Sequence, residues 1–365
     1  MNTTFKPKVF VMMSGGVDSS VSAALLKKRG FDIHGIHIKM WSDPDIPCAF
    51  KEDRHVAMRA AAHLGIPFET WDLTDEYRKA VVEYMVREYA VGRTPNPDVM
   101  CNRDIKFGAF FARAMKAGVD YVATGHYARL RRAFPNSKIS NTQLLKAKDI
   151  NKDQSYFLWT LTQETLAHCL FPIGAYTKPQ VRRMAQDFGL PNADKPDSQG
   201  ICFIGELDLR QFLMKYIPAE RGEIVTTSGV RVGAHEGLPF YTIGQRHGLG
   251  VGGGIPYYVA EKDPETNTIR VAQGPYDAAL FTATLRAGSV NWIAGSPPPF
   301  PLKCKARIRY RQPLEDCRAT LASYDEPGKS VELNVKFKND QRAVTSGQSI
   351  VFYRGQTLLG GGIIV

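Results

Sequence analysis

The chain has 365 residues, 44% of them apolar and 23% charged, which excludes a disordered or fibrous protein and leaves room for two or three globular domains. No stretch approaches the roughly 20 apolar residues that a bilayer-spanning helix needs. The start of the chain offers only a short apolar run, residues 9–13, with no cleavage site, so a cytoplasmic protein without a membrane partner is expected. Lys and Arg number 47 against 36 Asp and Glu, and the surplus is uneven: residues 1–205 carry a net +7, 206–283 a net −2 and 284–365 a net +6. Two basic ends around a slightly acidic middle attract polyanions, nucleic acid before anionic membrane; a generally basic soluble protein fits the same numbers. Six cysteines (Cys48, Cys101, Cys169, Cys202, Cys304, Cys317) make no disulfide scaffold in a chain this long, and in a reducing compartment they are core residues, ligands or reactive thiols.

In chain order, residues 8–13 form a strand-like run that ends at Ser14-Gly15-Gly16. Residues 19–29 then place Val21, Ala24 and Leu25 on one helical face and stop at Gly30, a natural helix terminus. Residues 33–40 read as strand, 53–64 as helix, 67–73 as extended, 76–90 and 104–117 as helices, and 121–124 as a short strand. This alternation predicts an α/β fold: a parallel sheet with helices on both faces. Beyond about residue 205 the texture changes. Residues 208–216 read as one more helix, after which short β-rich runs alternate with turn signals at Thr227-Ser228-Gly229, Asp263-Pro264-Glu265, Gln273-Gly274-Pro275 and the prolines of 297–299. That rhythm predicts small antiparallel sheets or barrels, and boundaries fall near 205 and 284. There is no internal repeat. The glycine-rich stretch 248–254 neither follows a clear strand nor opens a helix, which makes it a loop rather than a phosphate site.

Ser14-Gly15-Gly16-Val17-Asp18-Ser19-Ser20 joins the first strand to the first helix. Glycines let the backbone approach a phosphate, and the helix N-terminus aims amide hydrogens and the positive dipole end at it. The Walker loop is excluded because no lysine ends this one, and the dinucleotide fingerprint because Gly-x-Gly-x-x-Gly is absent. Asp18 repels phosphate unless it binds a metal ion or caps the helix, and a plain capped turn is the competing reading. Ser-Gly-Gly-x-Asp-Ser resembles the loop of the ATP pyrophosphatases of the adenine-nucleotide α-hydrolase type. These cleave ATP between the α and β phosphates and adenylate an oxygen of the substrate.

Cys101 lies in Thr94-Pro95-Asn96-Pro97-Asp98-Val99-Met100-Cys101-Asn102-Arg103, read as a rigid loop leading into a helix at Asp104, where amides, the dipole and Arg103 stabilise a thiolate. Cys202 lies in Asp197-Ser198-Gln199-Gly200-Ile201-Cys202-Phe203-Ile204-Gly205. Taken singly, each cysteine also fits a small buried hydrophobe. With Ala123-Thr124-Gly125-His126-Tyr127-Ala128-Arg129, Lys152-Asp153-Gln154-Ser155-Tyr156 and Thr242-Ile243-Gly244-Gln245-Arg246, these blocks resemble the tRNA-uridine 2-sulfurtransferases (tRNA 2-thiouridylases) over nearly the whole chain.

The resemblance implies three domains: an ATP pyrophosphatase domain over 1–205, a small central β-rich domain over 206–283 and an RNA-contacting β-barrel over 284–365. It implies ATP contacts at Met12, Met13, Ser14, Gly15, Gly16, Val17, Asp18, Ser19, Met40 and Gly125. Asn96, Pro97 and Asp98 would receive the target base, with Asp98 a candidate general acid or base. Cys202 would carry sulfur as a persulfide and Cys101 would be its nucleophilic partner, leaving a Cys101–Cys202 disulfide. His126, Lys152, Asp153, Gln154, Arg309, Tyr310 and Gln348 would contact tRNA. The implied reaction is 2-thiolation of the wobble uridine, anticodon position 34, with ATP and Mg2+ as cofactors and a persulfide donor or carrier as a further partner. A carbonyl oxygen leaves poorly, so it must be adenylated before sulfur displaces it, and magnesium offsets charge on the departing pyrophosphate. No Cys-x-x-Cys occurs, so no iron–sulfur cluster is expected. A small-molecule AMP-forming ligase with the same loop and a non-catalytic RNA-binding protein are the alternatives. The remaining cysteines are read as packing residues, and nothing is carried onto residues 131–143.

Residues 303–311 alternate strictly: Lys303, Lys305, Arg307, Arg309 and Arg311 between Cys304, Ala306, Ile308 and Tyr310. A strand of period two puts all five cations on one face, suited to an RNA backbone or to protecting a sheet edge. His34 and His37 are not spaced as metal ligands, and no protein metal site is expected.

Overall fold

The computed structural model describes residues 6–45, 50–132, 141–196, 209–252, 254–322 and 331–365. Cys48, the Cys202 segment 197–208 and residues 133–140 lie outside that range. The N-terminal region contributes strands β1 (Lys8–Met12), β2 (Asp32–Lys39), β3 (Phe68–Asp72), β4 (Tyr121–Ala123), β5 (Ala128–Arg131), β6 (Gln143–Lys146) and β7 (Cys169–Leu170). Five of them form a sheet in the order β3-β2-β1-β4-β7, every pair parallel. β1 is apolar from Val9 to Met12 because both faces are covered there. Val9 and Val11 pack with α1 (Val17–Lys28), α2 (Phe50–His63) and the helix Lys178–Asp187; Phe10 and Met12 pack with the helical runs 74–90 and 97–116. Strand order reverses at β1, with β2 on one side and β4 on the other, which opens a crevice at the carboxyl ends of β1 and β4.

α1 is buried almost all round, from Val17 to Leu26 apart from Asp18, so the three-residue face read from the sequence is too narrow. Its serines cost little there because they bond back into the helix: Ser19 and Ser20 Oγ to Gly16 O at 3.0 and 3.2 Å, Ser22 Oγ to Asp18 O at 2.9 Å. The helix ends as expected, with Gly30 at φ +86° and its amide on Lys27 O.

The middle of the chain forms a four-stranded sheet from β8 (Gly222–Thr226), β9 (Arg231–His235), β10 (Tyr257–Asp263) and β11 (Thr268–Gln273), in the order β10-β11-β8-β9. β8 and β11 run parallel, so this sheet is mixed rather than purely antiparallel. The last region is a closed six-stranded antiparallel barrel of β12 (Phe281–Trp292), β13 (Leu302–Arg307), β14 (Glu315–Leu321), β15 (Leu333–Arg342), β16 (Ser349–Arg354) and β17 (Thr357–Ile364), shut by pairing of β12 with β17. β12 starts at Phe281, so a boundary at 284 falls inside the strand. The hairpin β5–β6 reaches across from the N-terminal region and extends this sheet through Leu145 opposite Thr357.

The basic run departs from its expected form. β13 ends at Arg307, and among its five cations Lys303, Lys305 and Arg311 are exposed, Arg309 is half-buried and Arg307 is only 5% exposed. Arg307 turns inward because Asp153 lies 3.5 Å away and the Tyr353 ring lies 5.0 Å from its guanidinium carbon. Arg311 has φ +63°, which ends the alternation. The five cations therefore do not share one face.

Candidate active site

The loop after β1 opens at the crevice. Gly16 stands at the N-cap of α1 with extended backbone, and no side chain caps the helix. The first-turn amides of Val17, Asp18 and Ser19 thus have no intrahelical acceptor, and with the positive dipole end they make a site suited to an anion such as a phosphate. The loop is braced from every side. Ser14 N donates to Ser19 Oγ at 3.2 Å, Asn192 Nδ2 donates to Gly15 O and Ser20 Oγ at 3.0 Å each, and the buried His37 Nδ1 donates to Met13 O at 2.7 Å. Gly15 has φ +84°, and a Cβ there would lie 2.5 Å from the Asp53 carbonyl oxygen. Only glycine fits.

Asp18 is not the cap. It sits in the first turn, where Lys178 Nζ contacts its two oxygens at 2.8 and 2.9 Å and Tyr127 Oη donates at 2.9 Å. That pairing explains how an acid is tolerated in a phosphate loop. Among the described residues no group of three or more His, Cys, Asp or Glu side chains gathers to hold a metal. The residues present fit nucleotide phosphates; a divalent ion would be held mainly by those phosphates rather than by a protein cage. Met12 ends β1, Met40 follows β2, and Gly125 follows β4 with its Cα so near α1 that a Cβ would lie 2.8 Å from Ser19 N. The structure therefore brings the residues expected to contact ATP to one edge of one sheet.

His126, next to Gly125, links this edge to the Cys101 segment. Its Nδ1 lies 2.6 Å from Thr124 Oγ1 and its ring packs between Phe107 and Phe171. Burial first, and then the charge of Lys106, holds the imidazole well below its usual range, so it is neutral. Lys106 also faces Asp98, whose carboxyl is raised above its usual range by burial, against the opposing pull of that lysine. A carboxyl that holds its proton more tightly than usual, in the field of the same lysine that acts on the neutral His126, can hand a proton over or take one back.

The segment around Cys101 differs from the expected loop. The helix starts at Pro97, not Asp104, because Asn96 caps it, accepting from Val99 N at 3.3 Å, and Pro97 takes the first position, where its missing N–H costs nothing. Cys101 therefore lies in the second turn, beyond the free amides, and Arg103 is paired with Asp104 at 2.8 Å. Cys101 is 4% exposed, within the core. Helix-terminal activation of its thiolate does not apply.

Both other regions grip the strand of chain before Asn96. Gln348 Nε2 donates to the Thr94 and Pro95 carbonyls at 2.9 and 3.0 Å, Thr94 N donates to Ser346 O at 2.9 Å, and Thr94 Oγ1 lies 3.3 Å from Thr242 Oγ1 of the central region. Arg309 donates to Ala343 O at 2.7 Å, and Tyr310 packs on Phe157 with ring centroids 4.6 Å apart. Lys152 lines a cleft of about 590 Å³ with Lys146, Arg307 and Arg311. Asp153 is 2% exposed and spends its oxygens on Ala147 N, Ser155 N and Ser155 Oγ, while Gln154 Oε1 accepts from Tyr127 N. Gln348, Asp153 and Gln154 thus hold the protein's own backbone in this structure. Lys178, Tyr127, Asn192 and Lys106 carry no role in the sequence reading. A Thr-Lys-Pro-Gln start to the helix at Lys178, with Thr177 N on Gln180 Oε1 at 3.0 Å, was the available signal for the first of them.

Three family models match consecutive parts of the chain: the tRNA methyl transferase HUP domain over residues 7–206, the tRNA methyl transferase PRC-barrel domain over 210–273 and the aminomethyltransferase beta-barrel domain over 282–364. The tRNA-specific 2-thiouridylase MnmA of Marinobacter nauticus is 46% identical over 364 residues, covering 98% of this chain and 91% of that protein. Its namesake in Francisella tularensis subsp. holarctica is 45% identical over 365 residues, covering 98% and 99%. A solved 4-thiouridine synthetase–RNA complex with bound ATP aligns at 17% identity and a TM-score of 0.37, over 58% of this chain and 50% of that one, which is too little to argue from. Identity at that level over 98% of the chain settles the relationship: this enzyme belongs to the tRNA-specific 2-thiouridylase family.

Proposed function

We propose that this sulfurtransferase replaces O2 of a tRNA uridine, at the wobble position 34 of the anticodon, by sulfur in an ATP-dependent reaction. The observation that supports it most is the uncapped, glycine-built N-terminus of α1, its acid neutralised by Lys178, with Gly125 packed against its first turn. In this reading the loop amides and Ser14, Ser19 and Gly125 hold ATP with its α-phosphorus toward the uridine. Asn96, Pro97 and Asp98 receive the base. O2 takes the adenylyl group and pyrophosphate leaves. Bound magnesium would offset the charge on that leaving group.

Sulfur then arrives as the terminal atom of a Cys202 persulfide, charged by an external persulfide donor. Attack on C2 expels AMP; the Cys101 thiolate attacks Cys202 Sγ, breaks the S–S bond, releases the thiouridine and leaves a Cys101–Cys202 disulfide that an external thiol reduces. Cys101 is 4% exposed and Cys202 lies outside the described residues, so the reading requires the 197–208 segment to meet Cys101 and Cys101 to become accessible. Lys152 and Arg311, on the basic cleft, and the exposed Lys303 and Lys305 are the phosphate contacts this reading uses.

The test is purified protein with unmodified tRNA, ATP, magnesium and an active persulfide donor, followed by nucleoside mass spectrometry. 2-Thiouridine at position 34 is the expected product. Pyrophosphate release driven by a metabolite instead of tRNA would point to a small-molecule ligase, and tRNA affinity without ATP turnover to a binding protein.

A further inference from the structure

Cys304 on β13 and Cys317 on β14 stand directly opposite each other in an antiparallel pair, both reduced, with Sγ atoms 3.6 Å apart. We propose that these two thiols form a redox-active pair that closes to a disulfide across the barrel wall when the protein meets a low-molecular-weight disulfide. The inference is independent of the proposed reaction and uses neither of its cysteines.

Directly opposed residues of an antiparallel pair have Cα atoms about 4.5 or 5.5 Å apart, depending on the hydrogen-bonding of the pair. Both values lie inside the range of about 4.4–6.8 Å that a disulfide spans. The strands are already in position, so side-chain rotation alone has to bring the sulfurs to bonding distance. The pair is also asymmetric in a useful way. Cys304 is half-buried and reachable, whereas Cys317 is 7% exposed. The hydrogen bond with Cys304, and then burial, raises the Cys317 thiol above its ordinary range, which leaves Cys304 to react first. Its sulfur attacks the external disulfide, forming a mixed disulfide and releasing one thiol. Cys317 then attacks Cys304 Sγ, the mixed disulfide breaks, and its proton leaves with the second released thiol. Two electrons pass to the oxidant, which ends as two thiols.

β13 leads from Cys304 to Arg307 on the basic cleft and onward to Arg309 and Tyr310, so the bond would stiffen a strand that enters the tRNA-facing side of the proposed reading.

The full chain is treated with oxidised glutathione, alkylated under native conditions, digested and mapped by mass spectrometry. The expected result is a linked pair of peptides bearing Cys304 and Cys317, two hydrogens lighter than the dithiol form. It persists in Cys101→Ser and disappears in Cys304→Ser. Cys317→Ser traps a glutathione adduct on Cys304. Oxidation raises the Tm of Cys101→Ser and leaves that of the double variant Cys101→Ser, Cys304→Ser unchanged. If both thiols remain alkylated after oxidation, or if wild-type Cys304 stays glutathionylated beside a free Cys317, the pair is packing only and the proposal fails.

Discussion

Lys178→Met removes the cation that lets Asp18 sit in the phosphate loop. The ammonium lies 2.8 and 2.9 Å from the two carboxylate oxygens, with side chains 11% and 30% exposed. A hydrogen bond to a charged group contributes about 1.5–3 kcal/mol. Both contacts belong to one ion pair, and Asp18 keeps some water and the Tyr127 hydroxyl, so the loss is set near the low end, about 2 kcal/mol. For a domain of this size that lowers Tm by about 4–8 °C. A carboxylate left unpaired in that loop also repels phosphate, so the KM for ATP rises by about 5- to 30-fold if 1–2 kcal/mol of that cost falls on ATP binding. Scanning calorimetry and tRNA-dependent pyrophosphate release measure the two effects. A double-mutant cycle with Asp18→Asn should return a coupling of about 1–2 kcal/mol. Coupling below about 0.5 kcal/mol together with an unchanged KM would refute the view that Lys178 neutralises the loop acid.

Asp98→Asn should separate stability from activity. Burial raises the Asp98 carboxyl in the folded chain, so the folded state holds this proton more tightly than the unfolded state, and the contribution falls as pH rises from the unfolded value of about 4 through the raised one. The amide escapes that loss. The variant should melt at or above the wild type at neutral pH while thiolation falls about 100-fold or more; a lower Tm with full activity would contradict the assignment. His126 has the opposite sign. Its depressed folded value means the unfolded chain binds the proton more tightly, so stability is lost as pH falls below about 6.5. His126→Gln should flatten that acid-side slope, and an identical slope would remove His126 from it. Gln348→Ala drops two hydrogen bonds to Thr94 and Pro95, costing about 1–2 kcal/mol. Thiolation should slow while the KM for ATP stays constant, and a changed ATP KM would show that the clamp reaches the nucleotide side.

The N-terminal fold was legible because burial on two faces writes itself as apolar runs such as 9–13, and because Ser14-Gly15-Gly16 marks where a strand hands over to a helix. The uncapped, glycine-built start of α1 follows from the same local geometry. What stayed hidden is non-local. Nothing adjacent in sequence joins Asp18 to Lys178, 160 residues away, or Thr94 to Gln348, 254 residues away. The helix start at Pro97 is written in Asn96 and Pro97, a capping residue followed by a first-turn proline, but two prolines so close together fit a rigid loop equally well. The basic run misled for a related reason. Alternation of type fixes a face only while the strand continues, and Asp153 with the Tyr353 ring draws Arg307 inside just as β13 ends.

One measurement bears most directly on sulfur passing from Cys202 with Cys101 as its partner. The persulfide-charged enzyme is given tRNA, ATP and magnesium for a single turnover without added thiol, then alkylated and mapped. The account predicts one Cys101–Cys202 linked peptide for each 2-thiouridine formed. Thiouridine appearing in full while both cysteines remain alkylated would contradict it.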